Sequence, residues 1–152
     1  LLTGGKNSRL YRRLVYDLQI APDVNAGQQS QALGSMFLVI ATARPGQTLE
    51  KIQAVIDEEI EKLKQAPPDE REMTRALNQI ESSFYQRMER TGSFGGKADQ
   101  LNGYYVATGT PDYFEEDLAR YHAISATDIQ AAVQRFLPAD RRVELSVVPE
   151  KK

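Results

Sequence analysis

The sequence predicts an α+β domain in which an antiparallel or mixed sheet carries several helices packed on one face. Three observations predict it. Several segments have apolar residues at helical period, the continuous apolar run Met36–Ala41 has strand length, and Val143, Leu145 and Val147 alternate with polar residues after the last helix. The composition of the 152 residues, 41% hydrophobic, 26% charged and 8% aromatic, is that of an ordinary globular domain. A chain of this length can bury roughly two thirds of the surface its unfolded form exposes, so packing alone can hold it.

Asn7 or Ser8 can cap a first helix carrying Leu10, Leu14 and Leu18 at i, i+4 spacing, with Tyr11 and Val15 widening its apolar face; it stops before Pro22. Residues up to about Gln31 are polar and extended in character, and Met36–Ala41 reads as a strand covered on both faces, so the two form a hairpin. After Pro45-Gly46, Thr48 can cap a helix with Leu49, Ile52, Ile56, Ile60 and Leu63 on one stripe and a Glu58–Lys62 pair outside. Pro67-Pro68 ends it. Asp69 and Glu72 then form a capping box for a helix with Met73, Leu77, Ile80, Phe84 and Met88 on its core side.

Gly92, Gly95 and Gly96 interrupt the pattern before a more irregular helix over 97–107 with Leu101, Tyr104, Tyr105 and Val106. Thr110-Pro111 restarts a helix with Pro at its first position, where a missing N–H costs nothing, followed by Tyr113, Phe114, Leu118 and Tyr121. Ser125 caps a last helix with Ile129, Ala132, Val133 and Phe136, ended by Pro138. The alternating segment at 143–147 is expected to join the hairpin as a third strand. A single α/β subdomain over 1–152 is expected, with no repeat or linker. Leu1-Leu2-Thr3-Gly4-Gly5 lacks an initiator Met and signal-peptide character and reads like a helix end running into glycines, which suggests a fragment of a larger, multi-subdomain protein.

Nineteen Lys and Arg are interspersed among 21 Asp and Glu, a net charge of -2 with no basic stripe, so no nucleic-acid partner is indicated. No apolar run reaches the length of a membrane span. Zero cysteines exclude disulfides, thiolate nucleophiles and Cys-ligated zinc. The single histidine, His122, excludes both HExxH and HxxEH, and one imidazole with scattered carboxylates makes a poor zinc site; a surface histidine near a helix end is the simpler reading. Ser82, Ser83, Ser93 and Ser125 lack a GxSxG elbow, and a triad would need the same His122. Glu58-Glu59-Glu61 and Glu115-Glu116-Asp117 read as solvated helix faces. Gly92-Ser93-Phe94-Gly95-Gly96-Lys97 lacks the P-loop spacing, Gly4-Gly5-Lys6 is a weak anion signal at a helix start, and Tyr104-Tyr105 reads as core. No catalytic, cofactor-binding or metal-binding residue is assigned.

The opening string Leu1-Leu2-Thr3-Gly4-Gly5-Lys6-Asn7-Ser8-Arg9-Leu10-Tyr11-Arg12-Arg13-Leu14-Val15 closely resembles the LGGGxxSRLYxxL segment of the insulinase/pitrilysin family of zinc metallopeptidases, the inverzincins. In the family's order follow Ala43-Arg44-Pro45-Gly46, Asp69-Glu70-Arg71-Glu72, Ala107-Thr108-Gly109-Thr110-Pro111-Asp112-Tyr113, Ile124-Ser125-Ala126-Thr127-Asp128-Ile129 and Val147-Val148-Pro149, so the resemblance spans essentially the whole chain. It implies α/β subdomains like those of mitochondrial processing peptidase. It also implies that HxxEH and its zinc lie in an upstream subdomain, the SRLY segment belonging to the one after it.

Active members often continue the same helix with an Arg and, seven residues on, a Tyr, a pair thought to position substrate opposite the zinc. The corresponding positions here are Val15 and Pro22, so no functional residue carries over. That fits a degenerate, inactive unit of a protease, or the second subdomain of a catalytic half whose partner half supplies the pair. The resemblance thus implies a non-catalytic peptidase-like subdomain that walls part of a chamber for peptide or unfolded protein, partnered by the catalytic subdomain of the same polypeptide. The polar strand at 22–31 is the expected substrate-facing edge. The alternative is a non-proteolytic scaffold or interaction module of the same fold, like the family's core subunits in respiratory complexes. A free-standing enzyme of another class finds no support in the residue inventory. The residues leave the compartment open; the resemblance, through exported bacterial relatives, is compatible with the periplasm.

Overall fold

The computed structural model describes residues 1–92 and 94–149. It is an α+β chain whose described residues cluster into two compact units. One comprises Leu1–Pro67 with the described residues from Ile129 onward; the other is Pro68–Asp128.

The first unit contains the sheet. Helix α1 (Arg9–Tyr11) runs directly into a π-helical turn, Arg12–Asp17. The Leu18 N–H donates to the Arg13 carbonyl at 3.0 Å, and the N–H groups of Ile20 and Ala21 both reach the Leu14 carbonyl, at 3.0 and 3.2 Å. A π turn takes one more residue than an α turn, so the i, i+4 spacing that would put Leu18 beneath Leu14 fails. Leu18 is 37% exposed, and Ile20, 1% exposed, takes its place in the core.

Strands β1 (Val24–Gln29) and β2 (Met36–Ala41) pair antiparallel, from Val24 opposite Ala41 to Gln29 opposite Met36. Because side chains alternate, Val24, Ala26, Val39 and Ala41 share one face, which packs into a cluster with Leu10, Leu14, Ile52, Val55, Leu63 and Val133. Each fully buried leucine there contributes about 1.5–3 kcal/mol over an exposed one. The opposite face is open, with Ile40 62% and Met36 49% exposed, so the two-sided cover expected of β2 is absent among the described residues.

Thr48 begins α2 (Leu49–Gln65), its hydroxyl accepting the Lys51 N–H at 3.3 Å. The buried stripe of α2 is Ile52, Val55, Glu59 and Leu63, with Ile56 and Ile60 half-buried beside it. Helix α6 (Ala126–Phe136) brings Val133 and Ile129 to the same cluster. Its Gln130 and Gln134 amides donate to the Lys64 carbonyl at 2.9 and 2.7 Å, which satisfies an orphan acceptor in the last turn of α2.

The expected third strand does not form: residues 143–149 have no strand partner among the described residues. The alternation is present but turned outward. Val143, Leu145 and Val147 are 96%, 86% and 79% exposed, while Arg142 binds the Asp57 carboxylate through two guanidinium nitrogens and Glu144 accepts from the Gln53 amide at 2.8 Å. Polar anchoring on α2 therefore takes the inner side of this segment.

In the second unit, Asp69 and Glu72 close the capping box at 2.7 and 3.2 Å and start α3 (Glu70–Glu89). Helix α4 (Lys97–Thr108) ends on Gly109, whose φ of 82° supplies the left-handed cap. Helix α5 (Phe114–His122) begins three residues after Pro111, not at it. Thr110 accepts the Asp112 N–H in a local turn at 3.2 Å, which delays the helix. Phe84 on α3, 2% exposed, packs edge-on against Phe114 and Tyr121 of α5 at centroid distances of 5.5 and 5.4 Å.

Candidate functional site

The residues with chemical potential are spread over local structural tasks. His122 is the exposed last residue of α5. Ser83 donates its hydroxyl to the Gln79 carbonyl at 2.8 Å, and Ser82 accepts from the Gln86 amide at 3.3 Å, so both serve the surface of α3. Ser125 caps α6: its hydroxyl accepts the Asp128 N–H at 3.2 Å, and the Asp128 carboxylate accepts the Ser125 N–H at 2.9 Å. Hydrogen bonds from the Ser125 hydroxyl and N–H hold the Asp128 carboxyl below its usual range. Ser93 lies outside the described residues.

The two glycine-rich segments are already occupied by the chain's own groups. Gly95, at φ 77°, gives its N–H to Asp99 at 2.7 Å, which places a carboxylate where a phosphate would need a donor. At the start of α1 the N–H groups of Arg9 and Leu10 donate to the carbonyls of Leu1 and Leu2 at 3.2 and 2.9 Å. Ser8, fully buried, returns its hydroxyl to the Gly5 carbonyl at 2.7 Å.

The acidic clusters divide. Glu115 and Glu116 are exposed, whereas Asp117 accepts the Tyr104 hydroxyl at 3.0 Å. Burial, and then that hydrogen bond, push the Tyr104 hydroxyl up to about 12. Tyr104 also stacks edge-on with Tyr113 at 5.7 Å, while Tyr105 is 60% exposed. Glu58 is exposed, as a solvated face requires, and the Lys62 ammonium 2.6 Å away holds its carboxyl below the usual range.

Glu59 corrects the reading of its cluster. It is 5% exposed and sits in the apolar stripe, one oxygen 2.7 Å from Lys62 Nζ and 3.5 Å from Arg13 Nε. The spacing Ile52, Val55, Glu59, Leu63 was the available signal, because steps of three and four put Glu59 on the inward face. The resulting charge network joins the π turn to α2. A second network joins Arg142 to its near neighbour Glu144 and to Asp57, and the link to Asp57 had no signal in local pattern because it spans 85 residues.

Val15 is buried and Pro22 exposed on the surface. Neither offers a polar group to a substrate. Among the described residues, no three His, Cys, Asp or Glu side chains come together in a way that could hold a metal ion. No described helix is long and apolar enough to cross a membrane.

Residues 1–80 match the family model described as the peptidase M16 inactive domain. No curated protein matches the chain. Among solved structures, the inactive peptidase domain of a candidate zinc protease from Bordetella parapertussis is similar, with a TM-score of 0.80 and 22% identity, covering 99% of this chain and 78% of that one. A candidate zinc protease from Bordetella pertussis Tohama I gives 0.79 and 22%, over 98% and 79%. A protease from Helicobacter pylori gives 0.77 and 20%, over 91% of this chain; the chain spans about a third of that protein's length, 32%. These likenesses agree on one α+β fold, and with the family model matching more than half of its length, the chain belongs to the peptidase M16 inactive-domain family.

Proposed function

We propose that this chain is the non-catalytic subdomain of a larger zinc metallopeptidase, packed beside the zinc-bearing subdomain of the same polypeptide and forming part of the wall of a peptide chamber. The match of residues 1–80 to an inactive peptidase domain carries the reading. The zinc such a protease uses polarises the attacking water. This chain's residues do not fit that ion. The single histidine, His122, ends α5, and among the described residues the acidic side chains that are not simply solvated are committed to Lys62, Arg13, Arg142, Tyr104 or to helix caps. We therefore assign the chain no catalytic, cofactor-binding or metal-binding residue. Its contribution is shape and surface, with the polar strand β1 and its neighbours offered to substrate.

The test is hydrolysis of a quenched fluorogenic peptide library with zinc present, by the full-length polypeptide, by this chain, and by this chain mixed with the rest of the protein. Turnover by the full-length protein and the mixture, with none by the chain alone, is expected. Turnover by the chain alone overturns the proposal. Silence in all three favours the non-proteolytic scaffold.

A further inference from the structure

On the side away from β2, the backbone of β1 meets a side chain. The Ala26 N–H donates to the Thr3 hydroxyl at 2.9 Å, and that hydroxyl donates to the Ala26 carbonyl at 3.2 Å. Both polar groups of Ala26 therefore point away from β2, which makes Ala26 and Val39 a non-hydrogen-bonded pair. By alternation, Asn25 and Gly27 turn their N–H and C=O inward to β2, whereas Val24 and Gln28 turn theirs outward with Ala26. One half-buried hydroxyl thus satisfies a donor and an acceptor at once, the same two groups that an added strand would have to pair.

The segment behind that hydroxyl is poorly defended by other means. From Val24 to Ala43 the sequence has neither a charged residue nor a proline, and the register of β1 with β2 runs without a bulge. Those are the usual devices that keep an edge from pairing with another chain. Asn25, Gln28 and Gln29 add side-chain amides, which form ladders when identical strands pair, and no like charges would oppose that pairing.

We infer that the Thr3 hydroxyl is an edge guard, which stops β1 from pairing with β1 of a second copy of this chain by occupying both polar groups of Ala26. Ala26 is the middle of the three outward positions, so blocking it leaves Val24 and Gln28 as isolated residues, too short a run to hold a strand. The guard denies backbone pairing only. The exposed side chains of Asn25 and Gln29 stay available to other contacts, so the inference stands apart from what the larger protein hydrolyses.

Hydrogen exchange on the full-length protein reads the guard without any substitution. The Ala26 amide is expected to exchange within about tenfold of the Asn25 and Gly27 amides, and the Gln28 amide on the order of 100-fold faster. An Ala26 amide as fast as that of Gln28 overturns the inference. So does a protected Gln28, because a strand then already lies on the edge. Thr3→Val keeps the shape and removes the hydroxyl; its mass in sedimentation should rise with concentration toward twice that of the wild type, while Thr3→Ser behaves as the wild type does. Adding Gln28→Lys to Thr3→Val puts a charge on the same edge and should restore the wild-type mass. Thr3→Val that keeps the wild-type mass overturns the inference, as does association that Thr3→Ser shares or that survives Gln28→Lys.

Discussion

Arg13 and Glu59 meet across the π turn and α2, the guanidinium Nε 3.5 Å from a carboxylate oxygen that is itself 2.7 Å from Lys62. Arg13 Nε is buried without a hydrogen bond, so this ion pair is what offsets its desolvation. The Glu59 side chain is 6% exposed, but Arg13 and Lys62 are 33% and 48% exposed, so solvent screens much of the attraction. Glu59→Ala is expected to cost about 2 kcal/mol, a figure discounted for that screening. The double variant Arg13→Met, Glu59→Leu should cost less, because it completes the Ile52, Val55, Leu63 stripe and strands no buried charge. Urea midpoints of the three proteins decide it. A loss below about 0.5 kcal/mol in Glu59→Ala would mean the network is ornamental.

Tyr104 gives the fold an alkaline limit. Its hydroxyl, 7% exposed on the residue and donating to Asp117, is raised from 10.0 to about 12. The folded state therefore keeps a proton that the unfolded chain loses, and stability fully present below about pH 10 falls as pH rises toward 12. Tyr104→Phe should lose about 1 kcal/mol at neutral pH, from the missing hydrogen bond, and show a shallower decline across that window. Tyrosinate absorbance with a denaturation midpoint at each pH measures both. Parallel profiles for the two proteins would remove Tyr104 as the cause.

How much was legible follows from where each signal resides. Thr48, the Asp69–Glu72 box and Ser125 act on donors within three residues, so α2, α3 and α6 start where their sequence says. Met36–Ala41 needed only its own apolar run. Leu18, Pro111 and the 143–147 segment failed for non-local or competing reasons: a π turn shifted the register, a Thr110 turn preceded the helix, and an apolar alternation had Arg142 and Glu144 anchored on α2. The candidate site was legible as far as single residues go. The burial of Glu59 and its union with Arg13, 46 positions away by number, needed the fold.

The Ser125–Asp128 cap couples α6 to pH. Ser125→Ala should cost about 1 kcal/mol, the usual loss for an N-cap hydroxyl. Asp128 is held below its ordinary value by that hydroxyl, so its contribution is present above the unfolded value of 3.8 and is lost as pH falls through the lower folded value. Asp128→Asn should therefore flatten the acid limb of the stability profile, and Ser125→Ala should flatten it in part. Stability measured by denaturant at successive acidic pH values checks the pair. A steeper acid limb in either variant contradicts this assignment.

Gln19 holds the turn that ends the π segment, at φ 52°, the only positive φ of a non-glycine residue among those described. Its side chain is exposed, so the position is set by the backbone, which must turn there for the Ile20 and Ala21 N–H groups to reach the Leu14 carbonyl. A left-handed residue with a Cβ costs about 1–2 kcal/mol. Glycine removes that strain but loses roughly 0.5–1 kcal/mol more in ordering the chain. Gln19→Gly should accordingly stabilise by about 0.5 kcal/mol, while Gln19→Val, β-branched and worse in this region, should destabilise by about 1 kcal/mol or more. Thermal midpoints rank the three. If glycine lowers the midpoint, the turn is held by the side chain of Gln19 and not by its backbone, and the π segment needs another explanation.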